Sequence, residues 1–337
     1  MQNQKSYKII GVGNSIIDYF VQVSDDFIIK NSLIKGSMTL IDKNKFNELN
    51  NSSIEKFSSG GSVANTINNL SLINESVRDD FAFIGSIGSD LAGNQFIDEI
   101  KKNKIDFIGQ ILDNHDTASS FIFITPDGQR TMCTYLGCSP MIDAENIDFN
   151  KFNNCQIVYI EGYLWDNPST IDAIKKIISI AKKQNCKIAF SLSDSFCVER
   201  HYQEFIDLVS CDIDILFANE FEISKLCKIE KFDSEIVKNF IANLNQNIIL
   251  ATTLSDKGCQ IFLNKNLVFV PTDSKKALDS TGAGDSFASG FLYGIMNGYE
   301  LSKCGEIGNI LAGKIIEKIG ARFSSQEINQ IKQNIKL

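Results

Sequence analysis

The sequence lacks most of the features that would send a chain to a membrane, a nucleic acid or an oxidising compartment. No apolar run approaches the roughly 18 residues a spanning helix needs. Met1 to Ser6 is polar and too few apolar residues follow it for a signal peptide. No cluster of Lys and Arg offsets the formal charge of −8, so neither a nucleic acid nor an anionic membrane is an expected partner. The nine cysteines are scattered, odd in number and contain no C-x-x-C pair. They read as reduced thiols, most of them filling core space, in a cytoplasmic protein. Internal repeats, low-complexity tracts and Pro- or Ser-rich linkers are missing too. With 337 residues, 43% of them hydrophobic and 22% charged, the expectation is one compact soluble unit, monomer or homodimer.

What is present alternates between short apolar runs and amphipathic stretches. Ile9 to Gly13, Phe81 to Ile87, Ile157 to Glu161, Lys187 to Leu192, Ile215 to Ala218 and Ile248 to Thr252 read as buried strands. Ser62 to Ile73, Gly93 to Lys102, Ser169 to Gln184 and Glu220 to Cys227 read as helices between them. That series predicts a parallel sheet covered on both faces, with ligands at the carboxyl ends of the strands. Ile16 to Val23, Gly36 to Ile41 and Thr117 to Tyr135 have strand periodicity without intervening helices, and Thr125-Pro126-Asp127-Gly128 signals a hairpin. These form a small lid sheet. The expected division is a large α/β/α domain over about 1–15, 43–113 and 138–337, with the lid over about 16–42 and 114–137.

Two glycine patterns imitate phosphate loops and fail on missing residues. Gly308 to Ile315 has the Walker A spacing, but Ile315 replaces the metal-binding hydroxyl and no strand precedes it. Gly11-Val12-Gly13 follows a first strand, but Ile16 stands where the third glycine of a dinucleotide fingerprint belongs. Both read as ordinary structure.

Asp279-Ser280-Thr281-Gly282-Ala283-Gly284-Asp285-Ser286-Phe287 is the most specific segment. Its glycines allow a sharp turn that opens a helix over Ala283 to Asn297. Free N–H groups and the positive dipole end then converge on one point, which suits an anion. Beside that point Asp285 is poorly placed to bind phosphate and well placed to take a proton from an attacking hydroxyl. The plainer alternative makes Asp285 a helix cap.

This segment resembles the second signature of the ribokinase (PfkB) family of carbohydrate and nucleoside kinases, and other motifs fit in order. Gly60-Gly61-Ser62-Val63-Ala64-Asn65 resembles the first glycine motif, which implies that Gly60, Gly61 and Asn65 contact the acceptor. Asn219-Glu220-Phe221-Glu222 resembles the N-x-x-E motif, which implies that Asn219 and Glu222 organise Mg²⁺, Glu222 through water, and the ATP phosphates. In isolation, Asn219 and Glu222 would simply form a capping box. Thr253-Leu254-Ser255 with Gly258 resembles the loop near the nucleotide, although Ser255 stands where glycine is usual. The resemblance, from about Ile9 to Phe323, implies a ribokinase-like three-layer α/β/α fold with a β-sheet lid and an ATP-dependent kinase.

The N-terminal region is more similar to adenosine kinases of the family. That implies Asn14 and Asp18 on the nucleoside, Leu40 and Leu136 against the base, Arg130 on phosphate, and Asn309 near the ATP base. Tyr163 or Trp165 is a candidate to stack on a purine, with core packing the alternative. The family also implies a monovalent-cation site, possible for K⁺, near Asp279. Asp285 as base, Gly282, Ala283 and Gly284 as anion cradle and Arg130 complete the expected catalytic set. The expected reaction is phosphorylation of a nucleoside's primary hydroxyl, adenosine giving AMP. The alternatives are a ribose- or fructose-type sugar kinase and a catalytically silent binding module.

Overall fold

The protein is described by a computed structural model covering residues 6–50, 54–74, 80–273 and 276–335. A sheet of nine strands forms its centre. Neighbours across it run Asn266–Pro271, Gly258–Leu263, Ile249–Thr253, Ile215–Asn219, Lys187–Ser191, Ile157–Glu161, Ile9–Val12, Phe81–Ile84 and Ile105–Phe107. The first three are antiparallel to one another in sequence and all other pairs are parallel. Ile9–Val12, Phe81–Ile84 and Ile157–Glu161 are buried at every position, as strands covered on both faces must be.

Alternation along the strands feeds two cores. Ile10, Val12, Val158 and Ile160 face the layer of helices Pro168–Lys183, Tyr202–Cys211, Glu220–Cys227 and Ser234–Leu244. Ile9, Ile157 and Tyr159 face the layer of Ser62–Asn74, Leu91–Lys102, Ala283–Met296 and Leu301–Ile315. The expected three-layer architecture is present. Ile9–Val12 lies between Ile157–Glu161 and Phe81–Ile84, so the chain leaves it in both directions across the sheet. Such a switch point opens a crevice at the strands' carboxyl ends.

The second sheet orders Met38–Leu40, Arg130–Tyr135, Ala118–Ile124, Ile16–Gln22 and Lys56–Gly60. Its hairpin turns at Thr125–Gly128, where Gly128 takes φ +81°. The lid is larger than its sequence pattern indicates. Lys56–Gly60, assigned above to the large domain, pairs antiparallel with Ile16–Gln22, and Leu49 of the helix Lys43–Leu49 joins Val21, Ile28, Phe121 and Phe123 in the lid's own apolar cluster. Lys56–Gly60 mixes exposed and buried positions as an edge strand does, which hides its pairing from a hydrophobicity count.

The imitation phosphate loops resolve into packing. A Cβ on Gly11 would lie 2.6 Å from Ile67, and one on Gly13 would lie 2.7 Å from Glu161 Oε2, so both glycines permit close approach to the helix and strand above them. Gly308 lies within the helix Leu301–Ile315, where a Cβ would meet the Phe287 ring at 2.8 Å. All nine cysteines are free, and seven are buried. Among the described residues no helix is long and apolar enough to cross a membrane.

Candidate active site

Asp285 sits in the first turn of Ala283–Met296, and its carboxylate is held from the facing helix Ser62–Asn74. Ser62 Oγ donates to Oδ1 at 2.6 Å and Asn65 Nδ2 to Oδ2 at 3.0 Å. Residues three apart on a helix share a face, so one helix presents both donors. Burial pushes the Asp285 carboxyl up to about 6, although Ser62, Asn65 and the charge of Arg322 pull it down. The result is a carboxylate that is oriented, ionised at neutral pH, and basic enough to take a proton.

The anion turn lies alongside. Gly282 adopts φ +76°, and a Cβ there would lie 2.7 Å from the Ala321 Cα. The Ala283 N–H closes back on the Ser280 carbonyl at 3.2 Å. Of the expected three donors, it is therefore Gly282 and Gly284 whose N–H groups have no acceptor among the described residues. Their turn borders a cavity of about 550 Å³, within the range of small-molecule pockets. Asn219, Glu222, Thr253, Ser255, Gly258 and Asn309 line the same cavity. Six positions from three chain segments thus converge on one space, with Asp285 and Ser62 at its edge.

On that wall Asn219 and Glu222 form the capping box. Asn219 Oδ1 accepts from the Phe221 and Glu222 N–H groups, both at 2.9 Å, and Glu222 Oε2 accepts from the Asn219 N–H at 2.9 Å. The cap is therefore present in residues that also line the cavity. Burial pushes Glu222 up to about 7, with the Asp194 charge adding to it. Ser255 takes φ +52°, the left-handed conformation for which glycine is the easier residue. Asn309 donates to the Val270 carbonyl at 3.0 Å, which fixes its amide at the cavity rim.

Asp18, Gly60, Gly61 and Asn65 come together on the other side of Asp285. A Cβ on Gly60 would lie 2.5 Å from Asp18 Oδ2, and one on Gly61, whose φ is +96°, would lie 2.1 Å from the Asn14 carbonyl oxygen. Burial pushes Asp18 up to about 6 against the opposing charges of Arg322 and Arg130. Arg322 donates from Nε to Asn65 Oδ1 at 2.9 Å and from Nη1 to Ser59 Oγ. Its Nη2, and that of Arg130, are buried with no acceptor among the described residues. Two guanidinium nitrogens near Asp18 are therefore without a partner among the described residues.

Several of the expected site residues also make bonds within the fold. Asn14 bonds to the framework: its backbone N–H and Nδ2 donate to Glu161 Oε1 at 2.9 and 2.5 Å, and Ser139 Oγ donates to its Oδ1 at 2.9 Å. Asp279 has both carboxylate oxygens engaged within the fold. Oδ1 accepts from the Thr281 N–H and Oγ1, and Oδ2 from Arg130 Nη1 and the Gly320 N–H; these fill the roughly four lone-pair sites of a carboxylate. Trp165 is a core residue, 1% exposed and edge-on to Phe190 and Phe205. Tyr163 donates its hydroxyl to the Ser193 carbonyl at 3.3 Å. Leu136 is half-buried, and Leu40 is 55% exposed on the lid's edge strand.

Glu161, Ser62, Ser59 and Arg322 escape the motif reading. Glu161 is fully buried at the end of its strand and also accepts from the Val63 N–H at 2.9 Å, pinning the start of the helix that carries Ser62 and Asn65. Burial pushes it up to about 7, while those N–H donors pull it down. Its place at a strand's carboxyl end was the available signal. For Arg322 the signal is rarity: Arg78, Arg130, Arg200 and Arg322 are the four arginines among 33 basic residues, and two of them meet here.

A doubly covered parallel sheet, a β-sheet lid, and a glycine turn with a poised carboxylate define a kinase of the ribokinase-like fold. The chain belongs to the family described as pfkB family carbohydrate kinase, which matches residues 32–328. It is 34% identical to the adenosine kinase from Sinorhizobium meliloti, with a TM-score of 0.85 over 97% of this chain and 99% of that one. It is also 34% identical to a probable sugar kinase from Rhizobium etli, with a TM-score of 0.85 over 97% of this chain and 98% of that one. The adenosine kinase of Saccharomyces cerevisiae is 24% identical over 96% of this chain and 99% of its own. ATP and a small-molecule acceptor are the substrates that the family implies.

Proposed function

We propose that this kinase transfers the γ-phosphoryl group of ATP to the primary hydroxyl of a nucleoside, adenosine first, giving AMP and ADP. The observation that carries this reading is the position of Asp285, gripped by Ser62 and Asn65 between the cavity and the Asp18 side. The acceptor hydroxyl gives its proton to Asp285 as its oxygen bonds to the γ-phosphorus. The bond from that phosphorus to the β,γ-bridging oxygen breaks, and ADP leaves with the electron pair. The N–H groups of Gly282 and Gly284 and the free Nη2 of Arg130 hold charge on the transferring group. Asp18, with two acceptor oxygens, suits a pair of vicinal ribose hydroxyls.

Glu222 and Asn219 are the residues that would hold Mg²⁺, through water, and the ion would neutralise phosphate charge. Among the described residues no cluster of three or more His, Cys, Asp or Glu could bind a metal unaided. That fits an ion sharing its ligands with nucleotide phosphates.

A sugar acceptor is the second reading, favoured by the equal likeness to the probable sugar kinase from Rhizobium etli and by the generality of a carboxylate as a diol ligand. ATP turnover measured against a panel of nucleosides and free sugars separates the two. The nucleoside reading predicts the highest kcat/KM with adenosine. A free sugar at the top of the panel overturns it, and binding without turnover on any acceptor overturns the enzymatic reading of the site.

A further inference from the structure

Arg322 lies beyond the helix Leu301–Ile315, two residues past Gly320, whose φ is +97°. Its guanidinium spans the Gly60 strand and the Ser62 helix, bonding Ser59 through Nη1 and Asn65 through Nε. This contact decides how the Asn65 amide is turned. With Oδ1 taken by Arg322, the NH₂ end must face Asp285, which it meets at 3.0 Å. An amide released from Arg322 is held by Asp285 alone, with its oxygen left without the Nε donor that fixes it. Ser59 is the neighbour of Gly60, over which the Asp18 carboxylate lies. One guanidinium therefore touches the supports of both carboxylates.

We infer that Arg322 is a positioning residue for phosphoryl transfer: it keeps the Asn65 amide turned toward Asp285, sets a fixed positive charge beside Asp18 and Asp285, and offers Nη2 to an acceptor hydroxyl. The inference rests on reading Asp285 as the base and Asp18 as the acceptor's carboxylate. Lysine is no substitute, because one ammonium cannot reproduce a planar fork to two partners. The charged environment is mixed. Asp18, Glu99 and Asp285 face Arg322 from three elements, Arg130 faces Asp18 from the lid, and Glu161 and Tyr159 face Asp285. Removing the one positive charge beside Asp285 leaves burial to favour its protonated form.

The test is a set of steady-state profiles over a pH range of about 5 to 9 for the parent, Arg322→Gln, Arg322→Lys and Asp285→Asn, each checked by thermal unfolding. For Arg322→Gln the acid limb of acceptor kcat/KM moves up by about one pH unit. Its kcat at neutral pH falls roughly tenfold or more, while the KM for ATP stays within about twofold. Arg322→Lys keeps the acid limb and still loses kcat. A folded Arg322→Gln enzyme with the parent's acid limb overturns the inference. If that variant does not fold, parental kcat in Arg322→Lys overturns it. Near-normal turnover in Asp285→Asn removes the base assignment and this inference together, whereas an inactive Asp285→Asn with an unmoved Arg322→Gln limb removes this inference alone.

Discussion

Arg130 of the lid hairpin and Asp279 of the segment before the anion turn form an ion pair, Nη1 to Oδ2 at 2.5 Å, with their side chains only 14% and 7% exposed. The pair fastens the lid sheet to the edge of the large domain. It leaves Nη2 of Arg130 unbonded, so the same guanidinium can hold the latch and a phosphate oxygen. Breaking a buried pair from one side strands a charge and costs about 3–5 kcal/mol. Asp279→Asn is therefore expected to lower the unfolding free energy by about that amount, since Arg130 keeps its charge and loses its counter-ion. Arg130→Met combined with Asp279→Leu should recover much of the loss, because replacing both partners with apolar groups removes the stranded charge. Urea unfolding of Arg130→Met, Asp279→Leu and the double variant checks the cycle, and additive losses would show that the pair does not couple lid to domain.

The second expectation concerns pH. Burial raises the Asp285 carboxyl to about 6, and a base must be ionised to accept a proton, so acceptor kcat/KM should fall as pH drops through about 6. Ser62→Ala removes a hydrogen bond to the ionised form and should shift that limb upward. A limb that stays put, or moves down, counts against Asp285 as the titrating group. Asp285→Asn should lower kcat by roughly 10²-fold or more at every pH. The sign for stability is opposite. A carboxyl whose folded pKa is raised binds its proton more tightly in the fold than in the unfolded chain, so this contribution is present at low pH and lost as pH rises through about 6. Asp285→Asn should then be at least as stable as the parent under mildly alkaline conditions, a usual property of a charge kept for chemistry rather than for folding.

The fold was legible because its parallel strands are uninterrupted apolar runs and its helices keep their own period. Ile157–Glu161 and Glu220–Cys227 lie where the sequence places them. The lid's boundary was not, since Lys56–Gly60 becomes a strand only by pairing with Ile16–Gln22, a relation between distant segments that no local window contains. The site divides in the same way. Glycine turns such as Gly282 and Gly61 announce themselves through the conformations they need. The groups that aim Asp285, namely Ser62, Glu161 and Arg322, are ordinary polar residues until the fold assembles them. Asn14 shows the converse: a residue in a recognisable motif whose amide also ties the framework together through Glu161 and Ser139, which no motif announces.

Glu161 carries the third expectation. Its two oxygens accept from the Asn14 N–H, the Asn14 side chain and the Val63 N–H, and no glutamine can do this, because one end of the amide is itself a donor. Glu161→Gln should destabilise the fold by about 1–3 kcal/mol, the cost of a buried donor left facing a donor. It should also lower kcat, since Val63 adjoins Ser62 and the start of that helix sets the grip on Asp285. Thermal unfolding and kcat at saturating substrates check both. An active, fully stable Glu161→Gln protein would mean that the strand end and the helix hold their geometry without this carboxylate.

The last expectation separates two roles that coincide in Glu222. As the third residue of a capping box it satisfies the Asn219 N–H with Oε2 and the Asn219 Nδ2 with Oε1, so glutamine keeps the backbone bond of the box and loses the one between the side chains. As a residue bordering the cavity, it would steady a water-bound Mg²⁺, for which a negative charge is needed. Glu222→Gln should therefore cost about 1–3 kcal/mol in stability, from the Asn219 amide left facing a donor, while raising the Mg²⁺ concentration for half-maximal activity by roughly 10- to 100-fold. Glu222→Ala loses both functions and should be worse on both measurements. If the glutamine variant is destabilised but titrates with Mg²⁺ as the parent does, the carboxylate caps its helix and does nothing for the ion. If the titration moves much further than the loss of stability accounts for, the charge at the strand end was kept for the nucleotide's metal.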